Sequence, residues 1–221
     1  MRKKFYAMTS FAALVLFAVG CTSLTTKKHS DADAAFEKFK NERPVLEYVN
    51  TGDESLDNAA VACTKIYGAT IKYLDEYITA KNEQRPYLGF QNEVQAKLEA
   101  DKKLTMEEAC NIVLAEAKKN DEGKSPDQQE YPRIIAGMKA SKALKPQNKI
   151  TELCQLTKEV DELIDNTNGL SQSFKGFDLE TVKKINSAKN ILKQAKFSGE
   201  ALDFLQYRYQ QENNFEKYMQ K

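Results

Sequence analysis

Histidine, tryptophan and helix-breaking residues are scarce in this chain. Its 221 residues include one histidine, no tryptophan, nine glycines and five prolines. The single histidine, His29, lies in a short polar stretch, where it cannot be held rigidly against a nucleophile as a catalytic triad requires. A histidine pair for zinc, an HExxH motif and a GxGxxG motif are also absent. We therefore predict no catalytic residue, no metal site and no cofactor.

An excess of charge of one sign is missing as well. The chain has 33 basic and 32 acidic residues, which gives a formal net charge of +1. Nucleic-acid-binding proteins gather a basic excess on one face. The balance of charge therefore argues against a nucleic-acid partner.

The composition favours helices over sheets. Breakers are few, and the good helix formers Lys, Glu, Gln, Ala and Leu are abundant. No long alternation of apolar and polar residues demands a strand, and no repeat of fixed period is present. We predict an all-α fold, with the helices arranged as an antiparallel bundle.

Apolar residues recur at spacings of three and four along several segments, as on one face of a helix. The strongest series spans residues 53 to about 82 and comprises Leu56, Ala60, Cys63, Tyr67, Thr70, Leu74 and Tyr77. Thr51 with Glu54 is a candidate capping box for this helix, and Thr105 with Glu108 is a better one for a later helix. Residues 120–132 are the most loop-like stretch of the body.

The boundaries of the last three helices are predicted from local signals. A series from Ile150 to Thr167 is expected to stop near Gly169. Phe177-Asp178 and Phe197-Ser198 each resemble a hydrophobic staple followed by an N-cap. They predict two final helices, at residues 179–196 and 199–221.

The first residues show the three zones of a secretory signal. Arg2, Lys3 and Lys4 are basic, residues 11–19 are an unbroken apolar run, and small residues precede Cys21. The uncharged stretch of residues 5–20 is short for a membrane span, which needs about 20 apolar residues. A cleaved signal peptide over residues 1–20 is the better interpretation.

Ala18-Val19-Gly20-Cys21 resembles the lipobox of bacterial lipoprotein precursors. The resemblance implies that Cys21 becomes the N-terminus, with a diacylglycerol thioether and an amide-linked acyl chain such as palmitate. Thr22 in place of Asp implies the outer membrane of a two-membrane envelope, with the body facing the periplasm or the surface. Two or more acyl chains anchor a protein stably. Residues 21–30 would then be a lipidated tether and residues 31–221 a single helical domain.

Three further cysteines, Cys63, Cys110 and Cys154, allow three pairings for one disulfide. An exported protein can form such a bridge, and we predict one disulfide with one free thiol. The alternative is three small buried core residues. Their wide spacing gives no support for a zinc or thioredoxin-like site.

The C-terminal segment is rich in aromatic residues. Phe204, Tyr207 and Tyr218 lie near one helical stripe and are predicted to pack in the core. Tyr209 and Phe215 lie off that stripe, so we predict that they mark a partner-binding patch.

Two charged series are best explained as solvated helix faces. Asp161, Glu162 and Asp165 cluster on one helix, where a pair of glycosidase carboxylates is the alternative. A lysine series toward the C-terminus has phosphate or anionic-lipid contact as its alternative. Its members are Lys183, Lys184, Lys189, Lys193 and Lys196.

Three functions follow in order of preference. The first is a membrane-anchored envelope lipoprotein that binds or scaffolds a protein partner of unknown identity. The second is a periplasmic carrier of a small apolar ligand, and the third is a cell-wall hydrolase. An open apolar groove favours the first, a closed cavity of several hundred Å³ favours the second, and two facing carboxylates favour the third.

Overall fold

The computed structural model describes residues 32–45, 48, 50–141 and 146–219, with the backbone alone at residues 146 and 216–219. Cys21, the predicted signal peptide and the predicted tether lie outside the described residues. The described part contains seven α-helices and no strand, so the predicted all-α fold is confirmed. The helices are α1 Ala32–Asn41, α2 Glu54–Glu83, α3 Arg85–Ala100, α4 Met106–Asn120, α5 Tyr131–Ser141, α6 Pro146–Ser173 and α7 Leu179–Met219.

Three long helices, α2, α6 and α7, pack against one another along the length of the molecule. The short helices α3, α4 and α5 pack together beside the end of α2, where the C-terminal part of α7 reaches them. Within the part of the chain that the structure describes, none of the helices combines the length and the apolar character that a membrane crossing needs.

The larger hydrophobic cluster is formed by α1, α2, α6, the part of α7 between residues 188 and 209, and Leu88 of α3. Its centre is aromatic. The ring of Phe36 meets the rings of Tyr77 and Phe204 edge-on, at centroid distances of 6.2 and 6.0 Å. Such edge-to-face pairs add about 0.5–1.5 kcal/mol to the gain from burial. These contacts fix α1 across α2 and α7.

The smaller hydrophobic cluster is formed by α3, α4, α5 and one residue of α7, Phe215. Close approach of α5 to α3 requires glycine at residue 137, because an added Cβ there would lie 2.5 Å from the Cβ of Tyr87. The ring of Phe215 lies 5.7 Å from that of Phe90. The smaller cluster therefore depends on the last turns of α7.

Side-chain caps fix the starts of two helices. The predicted box at Thr105 is confirmed: Glu108 N–H donates to Thr105 Oγ1 at 3.2 Å, and Thr105 N–H donates to Glu108 Oε2 at 2.8 Å. The predicted box at Thr51 is wrong. Helix α2 begins at Glu54, so Asp53 is its N-cap and accepts from Leu56 N–H at 3.1 Å. Thr51 bonds Asp57 instead.

The prediction of two final helices is wrong, because α7 is continuous. Phe197 lies inside the helix and packs on Phe39 and Tyr67, at centroid distances of 5.7 and 5.8 Å. The fully buried Ser198 donates its hydroxyl to the carbonyl of Gln194 at 2.9 Å, which is the bond of a mid-helix serine and not of an N-cap.

The other predicted helix boundaries are confirmed only in part. Helix α6 continues through Gly169 to Ser173. Asp178 does cap α7, accepting from Thr181 N–H at 2.9 Å, but Phe177 is fully exposed and forms no staple. The predicted loop is present between the end of α4 at Asn120 and the start of α5 at Tyr131.

Candidate functional site

The three body cysteines are all thiols in the structure, in contrast to the predicted disulfide. Cys63 belongs to the larger cluster, with its sulfur 3.3 Å from Gln194 Oε1, whereas Cys110 belongs to the smaller cluster. Cys154 is half-buried on α6. Burial raises the pKa of the Cys63 thiol to about 11 and that of Cys110 to about 12. Both are therefore protonated and unreactive while the clusters are closed.

Tyr209 and Phe215 do not form a surface patch, and that prediction is corrected. They are 5% and 2% exposed. The Tyr209 ring lies 5.2 Å from that of Tyr77 in the larger cluster, and Phe215 belongs to the smaller cluster. No residue of α7 between 201 and 213 is exposed, because neighbouring helices surround it. A single apolar stripe cannot separate core from surface on such a helix.

A buried ion pair lies where the two clusters meet. Lys81 Nζ lies 2.6 Å from Glu212 Oε1, and the two side chains are 0% and 1% exposed. Ser141 donates its hydroxyl to Glu212 Oε2 at 3.3 Å. The ammonium group lies 5.5 Å from the Tyr77 ring and 5.4 Å from the Tyr87 ring. We call Lys81 and Glu212 the junction pair.

Arg208 extends this buried polar group by one turn of α7. Its Nε donates to the hydroxyl of Tyr77 at 3.2 Å, and its Nη2 lies 3.4 Å from Gln91 Oε1. Burial lowers the pKa of Lys81, although the Glu212 carboxylate opposes that effect. The partners of these charges come from α2, α3, α5 and α7, so they join the two clusters.

Sequence reasoning missed the junction pair, although a signal was present. Lys81 follows Tyr77 by four positions and continues the apolar series of α2. Arg208, Glu212 and Phe215 follow each other by four and three positions on α7. A charged residue that continues an apolar series is a candidate for burial with a partner.

An open groove of about 870 Å³ lies between α2 and α6, and its surface is more apolar than polar. On α2 it is lined by residues at spacings of four, three and four, namely Ser55, Ala59, Ala62 and Ile66. Their side chains are mostly small, so they leave space where larger ones would close the gap between the helices. On α6 the lining includes Leu163, Gly169 and Leu170. Sequence reasoning missed this groove.

A second depression of about 690 Å³ follows along the same two helices. Ala69 and Tyr73 of α2 continue the spacing of three and four, and Leu156 faces them from α6. From Ser55 to Tyr73 the groove follows 18 residues of α2, about 27 Å at 1.5 Å per residue. We call the two depressions together the α2–α6 groove.

The rim of the α2–α6 groove is acidic on one side. Glu159, Glu162 and Asp165 of α6 line it and are exposed, whereas Lys65 is the basic residue on the α2 side. Val61, which also lines it, is 55% exposed. The groove can therefore bind an apolar surface that carries basic residues on its flank.

Acid–base chemistry finds no support among the described carboxyl groups. In every described carboxyl group whose pKa departs from its ordinary value, the pKa is lowered by hydrogen bonds that the carboxyl accepts. These groups lie at helix starts and in loops. They are Asp57, Glu108, Asp121, Asp127 and Asp178. A glycosidase acid needs the opposite shift. Over the same residues, no group of three His, Cys, Asp or Glu side chains is arranged to hold a metal ion.

Comparisons with protein-family models, with curated proteins and with solved structures gave no match to this chain. The signal-like sequence of the N-terminus and the geometry of the body therefore carry the information on function. Among the described features, the α2–α6 groove is the surface best suited to recognition.

Proposed function

We propose that this chain is the precursor of a bacterial envelope lipoprotein, anchored by lipid on Cys21, whose body binds a helical segment of an envelope protein. The observation that carries the binding part of the proposal is the α2–α6 groove, which is open, mostly apolar and acidic along one rim. The lipobox-like residues 18–21 support the proposed export and lipid attachment.

The shape of the groove suits a helix. Its length of about 27 Å matches five turns of an α-helix. Small residues at positions 59, 62 and 69 let a partner backbone approach α2 closely. A partner helix would place apolar residues at spacings of three and four along the floor. A small apolar ligand, as the carrier alternative requires, is better held in an enclosed cavity.

The charge of the groove selects the partner. Four carboxylates and one lysine line the α2–α6 groove, so the partner segment should carry Lys or Arg beside its apolar face. Such exposed pairs speed association and fix orientation, while apolar burial supplies most of the affinity. The preferred partner is therefore a basic amphipathic helix.

Lipid attachment at Cys21 is tested by mass spectrometry of the N-terminal peptide of the protein isolated from membranes. We expect a peptide that begins at Cys21 and carries acyl mass, and Cys21→Ser should abolish the acylation. A peptide without acyl mass, or one that retains residues 1–20, would remove the lipoprotein part of the proposal.

The groove is tested by a photo-crosslinking residue at Ala62 in the mature lipidated chain in its membrane. Ala115, exposed on α4 and outside the groove, is the matched control position. We expect position 62 alone to give a stoichiometric protein adduct whose linked peptide is a basic amphipathic helix. Ala59→Trp should fill the groove and weaken that adduct at least ten-fold.

Two outcomes would contradict a helix-binding groove. One is the same set of adducts from positions 62 and 115. The other is recovery of no stoichiometric protein together with a co-purified apolar molecule, which would favour the carrier. Glu162→Lys should lower the rate of adduct formation, and Glu93→Lys on the exposed face of α3 should not.

A further inference from the structure

An exposed apolar tip lies at the turn between α6 and α7. Phe177 is fully exposed, Leu179 is 72% exposed and Val182 is 40% exposed. These three are half of the exposed large hydrophobic residues in the described part of the chain. We call them the apolar tip.

The turn holds the apolar tip outward. Gly176 has a φ of 132°, a backbone conformation that residues other than glycine rarely adopt. Asp178 accepts from Thr181 N–H at 2.9 Å and from the Thr181 hydroxyl at 2.7 Å, which fixes the first turn of α7. Phe177 therefore extends into solvent from an ordered helix start.

Lysines occupy the exposed face of α7 that follows the tip. Residues 181–199 contain five lysines and no acidic residue. Lys184 is engaged with Glu180 at 3.3 Å. The other four are exposed, and we call them the lysine stripe: Lys183, Lys189, Lys193 and Lys196.

We propose that the apolar tip and the lysine stripe rest on the anionic lipid surface of the membrane that holds the anchor. This inference rests on the proposed lipid attachment to Cys21. Apolar and aromatic side chains enter the interface, while lysines reach the anionic headgroups with their flexible stems. Polybasic segments close to a membrane are held in the same way.

The tether keeps this face close to the membrane. Ten residues, 22–31, connect Cys21 with the start of α1, and they span at most about 35 Å. Lys38 of α1 lies 2.6 Å from Glu200, which ends the lysine-rich segment of α7. From Glu200 back to Lys189 is about 16 Å along the helix. The stripe therefore lies beside the helix to which the tether is joined.

The same arrangement directs the α2–α6 groove away from the membrane. Since α2, α6 and α7 each pack against the other two, the exposed face of α7 points away from the seam between α2 and α6. An anionic surface attracts the lysine stripe and repels the acidic rim of the groove. Docking of α7 on lipid therefore presents the groove to a protein partner.

The test uses the absence of tryptophan from the chain. The mature lipidated Phe177→Trp chain is reconstituted into vesicles of phosphatidylcholine, with or without 30 mol% phosphatidylglycerol, that contain dibrominated lipid. We expect blue-shifted and quenched emission, most strongly with phosphatidylglycerol and less at high salt. Each Lys→Gln change in the stripe should lower the docking equilibrium constant about five-fold.

The matched control is Ile112→Trp, on α4 and 37% exposed, whose emission should not be quenched. Emission from the Phe177→Trp chain that is unaffected by vesicles, or equal quenching of both chains, overturns the inference. Crosslinking of the stripe to an acidic protein in native membranes, without quenching in protein-free vesicles, overturns it in favour of a protein contact. Mass spectrometry of the same samples separates the proposals: acyl mass without quenching refutes only this one.

Discussion

The two hydrophobic clusters are built from different parts of the chain. The larger cluster brings together helices from residue 32 to residue 209, and its aromatic centre joins α1, α2 and α7. The smaller cluster draws on consecutive helices between residues 85 and 141 and on Phe215 alone from elsewhere. Distant segments stabilise the larger cluster, whereas local capping and the contacts of Phe215 with Tyr87 and Phe90 stabilise the smaller one. The two are therefore expected to open with different free energies.

The boundary between the clusters is polar. The junction pair lies there, with Lys81 on α2 and Glu212 on α7. Replacing a buried ion pair with apolar residues is often neutral or stabilising, whereas removing one partner is costly. We therefore expect the junction pair to fix the register of α7 against α2 more than it adds net stability.

The largest effect is expected from breaking the junction pair. Lys81→Met leaves the Glu212 carboxylate buried without its cation, which should lower the free energy of unfolding by about 3–5 kcal/mol. Urea unfolding followed by circular dichroism measures the change. A cost below about 1 kcal/mol would mean that Glu212 is solvated in the native protein.

The double variant Lys81→Met with Glu212→Leu separates charge from packing. Because both buried charges are removed together, it should recover most of the stability lost by Lys81→Met. A double variant as unstable as the single one would contradict the ion-pair account. Lys97→Met, which removes an exposed partner of Glu116, is the control and should cost at most about 1 kcal/mol.

A smaller effect is expected from the helix caps, and it distinguishes the clusters. Thr105→Ala removes the cap of α4 at a cost of about 1 kcal/mol, so the smaller cluster should open about five-fold more often. Thiol labelling of the native protein should then modify Cys110 about five-fold faster and leave Cys63 unchanged. Both thiols are buried and react only on opening.

The reciprocal variant is Asp53→Ala at the start of α2. It should leave the labelling rate of Cys110 unchanged, because its cost falls on the larger cluster. Equal acceleration of Cys63 and Cys110 by either variant would show that the clusters open as one unit. That outcome would favour the prediction of a single helical domain at residues 31–221, which otherwise stays a prediction.

Local signals predicted the helical class and much of the interior. Every residue of the series from Leu56 to Tyr77 is buried, because α2 has one face on the core and another on solvent. The Thr105 capping box was predictable because its partners lie three residues apart. Where one helix face decides burial, periodicity is sufficient.

The continuity of α7 through Phe197 and the burial of its aromatic residues could not be predicted in this way. Phe197 and Ser198 carry the local signal of a helix start, but contacts with Phe39 and Tyr67 keep the helix continuous. Tyr209 lies off the expected stripe and is still buried, because α7 is surrounded at that level. Tertiary contacts override local preference in both cases.

The α2–α6 groove could not be predicted from the sequence for a different reason. Ala60 and Ala62 have the same side chain, but Ala60 is buried in the larger cluster and Ala62 lines the groove. Ala60 belongs to the apolar series that predicted the core face of α2, whereas Ala62 lies off that series, and the series does not show how far α6 stands from this second face. The buried lysine at residue 81 was missed because charged residues are ordinarily exposed.

The smallest predicted effect is the loss, at acid pH, of the hydrogen bonds that hold the loop between α4 and α5. Asp121 accepts from the N–H groups of Glu130 and Tyr131 at 3.0 and 2.7 Å, and these bonds hold its pKa below the usual value. A lowered folded pKa means that the stabilisation is present above the unfolded value, near 4, and is lost as the pH falls through the lower folded value.

The rate of amide hydrogen exchange in residues 121–131, corrected for its intrinsic pH dependence, should therefore increase as the pH falls from about 5 to about 3. Asp121→Asn should show the faster exchange already at neutral pH and lose most of the pH dependence, because the side chain at residue 121 can no longer ionise. The part that remains comes from Asp127, whose pKa is also lowered. Glu122→Gln, an exposed neighbour, should behave as the wild type. Exchange that is independent of pH in the wild type, or an acid response equally strong in α2, would mean that this carboxylate does not hold the smaller cluster's loop.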